Sequence, residues 1–469
     1  MNHGSAFRHG YLLNGDERLP VKVREASRYS LLVASDAPPP DGAEFRGFVL
    51  GGGDQPVELG PCVFLLSESE SEGEGRGRLV FPRELYDFHK LLGRGELHTL
   101  ETYFNGLPLI LNQKKSIRPE FREYVAELTF DLNVYKSYFD ELDASLADEP
   151  ESVRSVAVNS VLETKGREFL GFLDETLRKL EELIKDYTRE EHALHGYYLR
   201  KQVWSLIEQS EFLLRTNVKP RGYAGDSDIM RMIYANDYRG YGIFARLMHK
   251  HGIETPAAQA VRNRRIMVPR ILRETRNEFK PAGGTPFRIM SVACGPAWEM
   301  QDLFAGDEDF ENLSLTLLDQ DTDALDEAAA AIRDIEARRK AKVNVQYLNE
   351  SVRTMLRIKN ISEKWGRYHF IYSMGLFDYL AAPVARALVK KLYDMLLPGG
   401  HVLIGNYHVD NPTRWYMEYW MDWVLLYRTE QDFLDLTREI ENVQARVFFE
   451  DTRAQMFLHV TKPRETDPN

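Results

Sequence analysis

The chain has 469 residues, 43% hydrophobic and 28% charged, with a formal net charge of −12. That is the balance of a globular protein of two or three domains. No run of about 18 apolar residues is present to span a membrane, and the first residues lack the apolar core of a secretory leader. With two cysteines, Cys62 and Cys294, a disulfide framework is not expected and a reducing cytoplasm fits. An acidic chain without a Lys/Arg stripe suits neither nucleic acid nor stable membrane insertion.

Residues 1–85 read as β-rich. Short strands are expected at Leu19–Val23, Tyr29–Ala34, Glu44–Leu50, Val57–Ser67 and Gly77–Phe81. Pro38-Pro39-Pro40-Asp41-Gly42 and Gly51-Gly52-Gly53-Asp54 mark the turns between them, and the acidic loop 67–75 reads as solvated. Five or six short strands predict a small barrel. The stretch from Val23 to Val33 resembles the core of PilZ domains, which bind cyclic di-GMP. Glu25 and Ser27 keep part of that pattern, whereas Ser30 stands in place of its glycine. The family's paired arginines are absent, since Arg8 and Arg18 are far apart. Without two guanidiniums to clamp phosphates and guanine, the segment is expected to pack or to dimerise rather than to bind cyclic di-GMP.

From 86 to about 215 the pattern is helical. Glu123–Asp143 and Val153–Tyr187 carry apolar residues at three-and-four spacing, and Asp148-Glu149-Pro150 breaks them apart. This stretch reads as a connector or a homodimer seam. His192 and His195 lie three apart on a helix but have no third ligand in view, so they are expected to pack, and no metal is expected.

Val218–Asp226, VKPRGYAGD, does not read as a core helix. Two glycines, a proline, an arginine, a tyrosine and an aspartate in nine residues make an ordered turn that presents polar groups.

The remainder alternates strands with helices. Arg288–Ala293 reads as a buried strand and runs into the turn Cys294-Gly295-Pro296-Ala297. A second strand, Leu313–Leu318, ends at Asp319. Val343–Leu348 precedes Asn349-Glu350-Ser351, and Tyr368–Ile371 leads to Ser373-Met374-Gly375. Leu397-Pro398-Gly399-Gly400 opens a fifth strand that ends near Gly405. Arg446–Glu450 and Gln455–Lys462 close the chain as a hairpin. A small-residue turn allows close backbone approach to a ligand, and a carboxylate at the end of the second strand sits where nucleotide folds place an acid on ribose hydroxyls.

This series resembles the class I S-adenosylmethionine-dependent methyltransferases. The implied architecture is α/β: a Rossmann-like seven-stranded methyltransferase domain at 216–469, preceded by a PilZ-like β-barrel at 1–85 and a helical connector at 86–215. Lys219–Asp226, Cys294–Ala297 and Gly375–Leu380 further resemble bacterial proteins assigned to synthesis of an extracellular factor, 3-hydroxypalmitic acid methyl ester. That resemblance implies S-adenosyl-L-methionine as cofactor and carboxyl methylation of a hydroxy fatty acid, a small acyl carboxylate. Another natural product or a protein carboxylate is the rival acceptor. A nucleotide-sensing regulatory protein with an inactive domain is the rival of another class.

The resemblance gives Ala293, Cys294 and Gly295 to the methionine part and sugar of the cofactor. It gives Asp319 to the ribose, Asn349 and Glu350 to the adenine edge, and Ser373, Met374 and Gly375 to the turn below the sulfonium, with Gln320 also counted among the cofactor-binding residues. The pattern's first-strand acid is Ser291 here, and its first and third glycines are Ala293 and Ala297. Glu299 either faces the cofactor's ammonium or is ordinary charge at a helix start. On the acceptor side, His408 follows the fifth strand and would act as base for a hydroxyl or orient the acceptor. A carboxylate is ionised already and calls for donors such as Arg221, Tyr223 and Arg414. The aromatic run Trp415–Tyr427 either packs on the preceding helices, walls an apolar acyl pocket, or meets a membrane surface.

Overall fold

A computed structural model describes residues 9–15, 17–51, 56–67, 75–89, 91, 99, 104, 107–279, 285–304, 306 and 312–464. Arg8, the acidic residues 68–74 and the turn residues 52–54 of the sequence reading lie outside them. The chain divides into two compact units, Met1–Ser116 and Ile117–Asn469. The division falls inside the stretch read above as the connector.

The first unit is an eight-stranded antiparallel sheet. Its strands are β1 (His9–Asn14), β2 (Glu17–Ala26), β3 (Leu31–Ser35), β4 (Ala43–Phe45), β5 (Gly47–Gly51), β6 (Val57–Leu59), β7 (Cys62–Leu66) and β8 (Gly75–Val80). Their order is β4-β7-β8-β3-β2-β1-β5-β6. β4 comes back against β1, so the sheet curls, but β4 and β6 remain edges instead of pairing to close a barrel. Two expected strands are each split in two, and β1 had no sequence signal. Leu12, Leu31, Phe48, Phe64, Leu79 and Phe88 fill the concave side. Ser27, read above as a remnant of a binding pattern, and Ser30, which stands in place of that pattern's glycine, bond to each other across the β2–β3 turn with hydroxyls 2.6 Å apart.

The second unit opens with helices. Pro119–Ser145 starts with a proline at its first turn and buries Phe121, Val125, Leu128, Leu132 and Phe139, one stripe at helical spacing. Lys165–Ile184 buries Phe169, Leu173, Leu180 and Ile184 in the same way. These helices share one core with 224–261 and with the aromatic run after Arg414.

A seven-stranded sheet follows: β9 (Phe287–Val292), β10 (Leu313–Asp319), β11 (Asn344–Asn349), β12 (Tyr368–Ser373), β13 (Leu396–Tyr407), β14 (Gln444–Phe449) and β15 (Gln455–Thr461). The order is β11-β10-β9-β12-β13-β15-β14. β10 and β12 pair parallel to β9 on opposite sides, and β15 runs antiparallel between β13 and β14. Strand order therefore reverses between β9 and β12. Such a switch point leaves a crevice beyond the strands' carboxyl ends.

Candidate functional site

The crevice is a cavity of about 940 Å³ whose lining, among the described residues, belongs to the second unit. Its floor is the turn after β9. Cys294 N–H donates to the Leu318 carbonyl at 3.0 Å. Gly295 N–H donates to Asp319 Oδ2 at 2.8 Å. Ala293, Gly295 and Ala297 have φ of 52°, 56° and 49°. The two alanines thus keep the left-handed backbone that glycine adopts freely, at about 1 kcal/mol each. The sequence departs from the glycine pattern in residue type and not in conformation. A Cβ built on Gly295 would meet nothing within 4 Å, so the turn faces open space.

Asp319 also accepts from Asp321 N–H at 3.0 Å through Oδ1. Burial pushes its carboxyl above the usual range, against the pull of those backbone bonds. Each oxygen keeps a lone pair for a further donor. Glu299, on the helix Glu299–Leu303, accepts from the Tyr372 hydroxyl at 2.7 Å; burial raises its carboxyl as well. Burial raises the Cys294 thiol, so Cys294 stays neutral and lines the wall without acting as a nucleophile.

Of the residues singled out for the cofactor, Ala293, Cys294, Gly295, Glu299, Asp319 and Gln320 line this cavity, as do Glu350, Met374 and Gly375. Asn349 and Ser373 are not in its lining. Asn349 Nδ2 donates to the carbonyls of Asp319 and Gln320 at 3.2 and 3.1 Å, and Ser373 Oγ donates to the Val292 carbonyl at 2.7 Å. Both brace the strand ends from behind.

The polar turn before the helix Ser227–Ala235 forms a strap along the cavity. Lys219 and Gly222 take positive φ, and Asp226 caps the helix by accepting from Ile229 N–H at 3.1 Å. Arg215 grips Asp226 with Nε 2.9 Å from each carboxylate oxygen. Arg221 and Tyr223 line the cavity. Arg221, however, is engaged: it donates to Asp321 Oδ2 at 2.8 Å and Ser227 Oγ at 2.7 Å. It ties the strap to the loop after β10 and is not a free acceptor-holding cation.

His408 and Arg414 stand outside the cavity lining. β13 ends at Tyr407, and His408 turns away into a bridge with Arg428. Its Nε2 lies 3.0 Å from Glu430 Oε2, and its ring packs edge-on against Phe449 of the outer strand β14. Arg414 donates to Glu418 Oε1 at 2.9 Å and lies over the rings of Trp415 and Tyr427. The aromatic run is mostly helix packing. Trp415 stacks on His192 at 4.2 Å, Tyr419 meets Phe121, and Trp420 is fully buried. Of that run, Trp423 and Leu425 reach the cavity. His195 packs too, its Nε2 accepting from Arg118 N–H at 3.1 Å. Among the described residues no cluster of three or more His, Cys, Asp or Glu could hold a metal.

Tyr234, Arg264 and Trp298 also line the cavity without having been singled out from the sequence, and Asp378 and Tyr379 do so from within Gly375–Leu380, a stretch that carried the resemblance but no role for either residue. Asp378 accepts from Tyr407 N–H at 2.7 Å.

No protein-family model matches the chain, and no curated protein matches it. Among solved structures, a Bordetella parapertussis protein described as a possible exported protein superposes with a TM-score of 0.43 at 17% identity, over 67% of this chain and 99% of its own. Magnesium protoporphyrin IX methyltransferase from Synechocystis PCC 6803, with S-adenosylhomocysteine bound, gives 0.33 at 9%, over 44% and 86%. The N-methyltransferase NodS from Bradyrhizobium japonicum WM9, also with S-adenosylhomocysteine, gives 0.30 at 14%, over 45% and 90%. Likeness at this level assigns neither substrate nor residue roles.

Proposed function

We propose that the chain is an S-adenosylmethionine-dependent methyltransferase whose acceptor is a small carboxylic acid. The observation that carries the reading is the coupling of the β9 turn to the end of β10. A left-handed small-residue turn faces open space, and its Gly295 N–H fixes a buried carboxylate at the switch point of a parallel sheet. That arrangement suits a ribose, whose hydroxyls Asp319 would accept. Glu350 and the apolar residues Val352 and Leu356, which share the cavity, would flank a base, and Glu299 would face an ammonium. Bound there, the cofactor supplies an electrophilic methyl on a sulfonium. The protein's part is to hold both partners in line and to exclude water, and positioning supplies much of the rate. Transfer to a carboxylate oxygen would form an O–C bond as the donor's S–C bond broke, leaving the electron pair on sulfur, and would require no proton to be removed.

A cavity of about 940 Å³ is near the upper end of single-ligand pockets, about 300–1,000 Å³, which favours a donor and an acceptor side by side. The resemblance of Lys219–Asp226, Cys294–Ala297 and Gly375–Leu380 to the extracellular-factor proteins supports a hydroxy fatty acid as that acceptor and its methyl ester as product.

Calorimetric titration with S-adenosylhomocysteine tests the donor site. Wild type should bind it, and Asp319→Ala should weaken binding about tenfold or more, the worth of a hydrogen bond to a charged group. Unchanged affinity would remove Asp319 from the site. Incubation with methyl-labelled donor and a lipid extract should give base-labile label in the lipid. Label on protein would favour a protein carboxylate, and donor binding without any turnover would favour a regulatory role.

A further inference from the structure

Four arginines line the cavity: Arg221, Arg264, Arg265 and Arg353. Arg221 is paired with Asp321 and Arg265 with Asp302, and Arg353 is exposed. Arg264 differs from all three. It lies on the helix Pro256–Phe279, is only 9% exposed, and has no carboxylate in ion-pair contact among the described residues. Its Nη1 donates to the Met374 carbonyl at 3.1 Å, and its Nη2 meets the weakly accepting sulfur of Met230 at 3.4 Å. The Tyr234 side chain hydrogen-bonds to it, and Asp378, Tyr407 and Glu299 act on it electrostatically without an ion-pair contact. A buried guanidinium with donors to spare is costly unless something charged completes it.

Its position says what that something is. Met374 follows the last residue of β12, the strand beside β9 at the switch point. Its carbonyl accepts from Arg264 and, at 3.1 Å, from Gln455 Nε2. A Cβ built on Gly375 would find the two guanidinium nitrogens at 3.8 Å as its nearest neighbours, so the fork is open to the cavity at that point. An amine arriving there would meet a cation and a carbonyl already capped twice. A carboxylate would meet a planar fork that matches it. Beyond the fork, Tyr379, Leu380, Trp423 and Leu425 give the cavity an apolar side.

We propose that Arg264 is the anchor for the anionic head of the methyl acceptor, and that the acceptor is therefore an amphiphilic acid and not an amine. This rests on the methyltransferase reading above and deepens it.

The test uses the full chain, first titrated with S-adenosylhomocysteine and then, saturated with it, with 3-hydroxydecanoate and with decylamine. Wild type should bind the acid and not the amine. Arg264→Gln should lose roughly 30-fold or more of the acid affinity, the scale for truncating one side of a buried charge pair, with donor-product affinity changed less than threefold. Arg264→Lys, which keeps the charge but not the fork, should fall between the two; it serves alone if the Gln variant does not fold. The subsite is overturned by acid binding equal in wild type and both variants, by preference for the amine, or by loss of donor-product affinity in place of acid affinity. Donor-product binding with no acid binding would sink the subsite alone, whereas no donor-product binding would sink the methyltransferase reading with it.

Discussion

Burial of Asp378, 2% exposed, pushes its carboxyl up to about 6, against the pull of Tyr407 N–H and of Arg264 and Arg428. In the unfolded chain the same group titrates near 3.9. Between about pH 4 and 6 the folded protein therefore holds more protons than the unfolded one, and stability falls as pH rises. Asp378→Asn removes that penalty. Urea melts of both proteins at pH 4 and pH 7 should show wild type losing about 2 kcal/mol relative to the variant across the interval, since each tenfold change in proton affinity is worth about 1.4 kcal/mol and the unfolded carboxyl is already about half ionised at pH 4. A constant difference between the two proteins would mean that the carboxyl titrates normally. The residue faces the cavity beside Arg264, so its charge state also sets the field that an acceptor meets. None of this was legible in Gly375–Leu380 as sequence, because burial and charge pairing are set by what the rest of the chain packs around it.

At the scale of elements, the strands of the second unit were legible because each is a short apolar run that ends in small or polar residues. β9, β10 and β12 fall within a residue or two of where the runs lie. The cavity's other wall was not, because it is made by helices. In Pro256–Phe279, Arg264 stands among Val261, Val268, Ile271 and Leu272 on the buried side; a cation within an apolar stripe was the signal available. His408 misled for a related reason. Proximity to the end of β13 placed it at the crevice, yet the pairing of Tyr407 with Gln455 and the bridge beyond direct it to the outer hairpin. The strap's glycine spacing was legible, and Gly225 shows why it matters. A Cβ there would lie 2.7 Å from Trp423 Cζ2 and 3.2 Å from the Tyr379 hydroxyl, and these two side chains are themselves joined by a 2.9 Å hydrogen bond from Trp423 Nε1. Gly225→Ala must therefore displace either the strap or the indole. Thermal melts should show a loss of about 1–3 kcal/mol, as for overpacking. If the variant melts as wild type does, the strap is not pressed against Trp423.

At the scale of the whole molecule, the two units fold around separate cores. The curled sheet closes on residues from Leu12 to Leu91. The three clusters of the second unit draw only on residues from Ile117 to Val460, and its cavity is lined from Arg221 to Leu425. Among the described residues, the clusters that form the second unit's core and the groups that line its cavity all belong to that unit. Stability follows buried apolar area within a cooperative unit, so residues 117–469 expressed alone should unfold in one transition. They should also bind S-adenosylhomocysteine within threefold of the full chain's affinity, measured by the same calorimetry. A truncated chain that folds but binds more than tenfold more weakly would show that the β-rich unit acts on the donor site, which would revive a sensing role for it. A truncated chain that does not fold would show that the two cores are not independent.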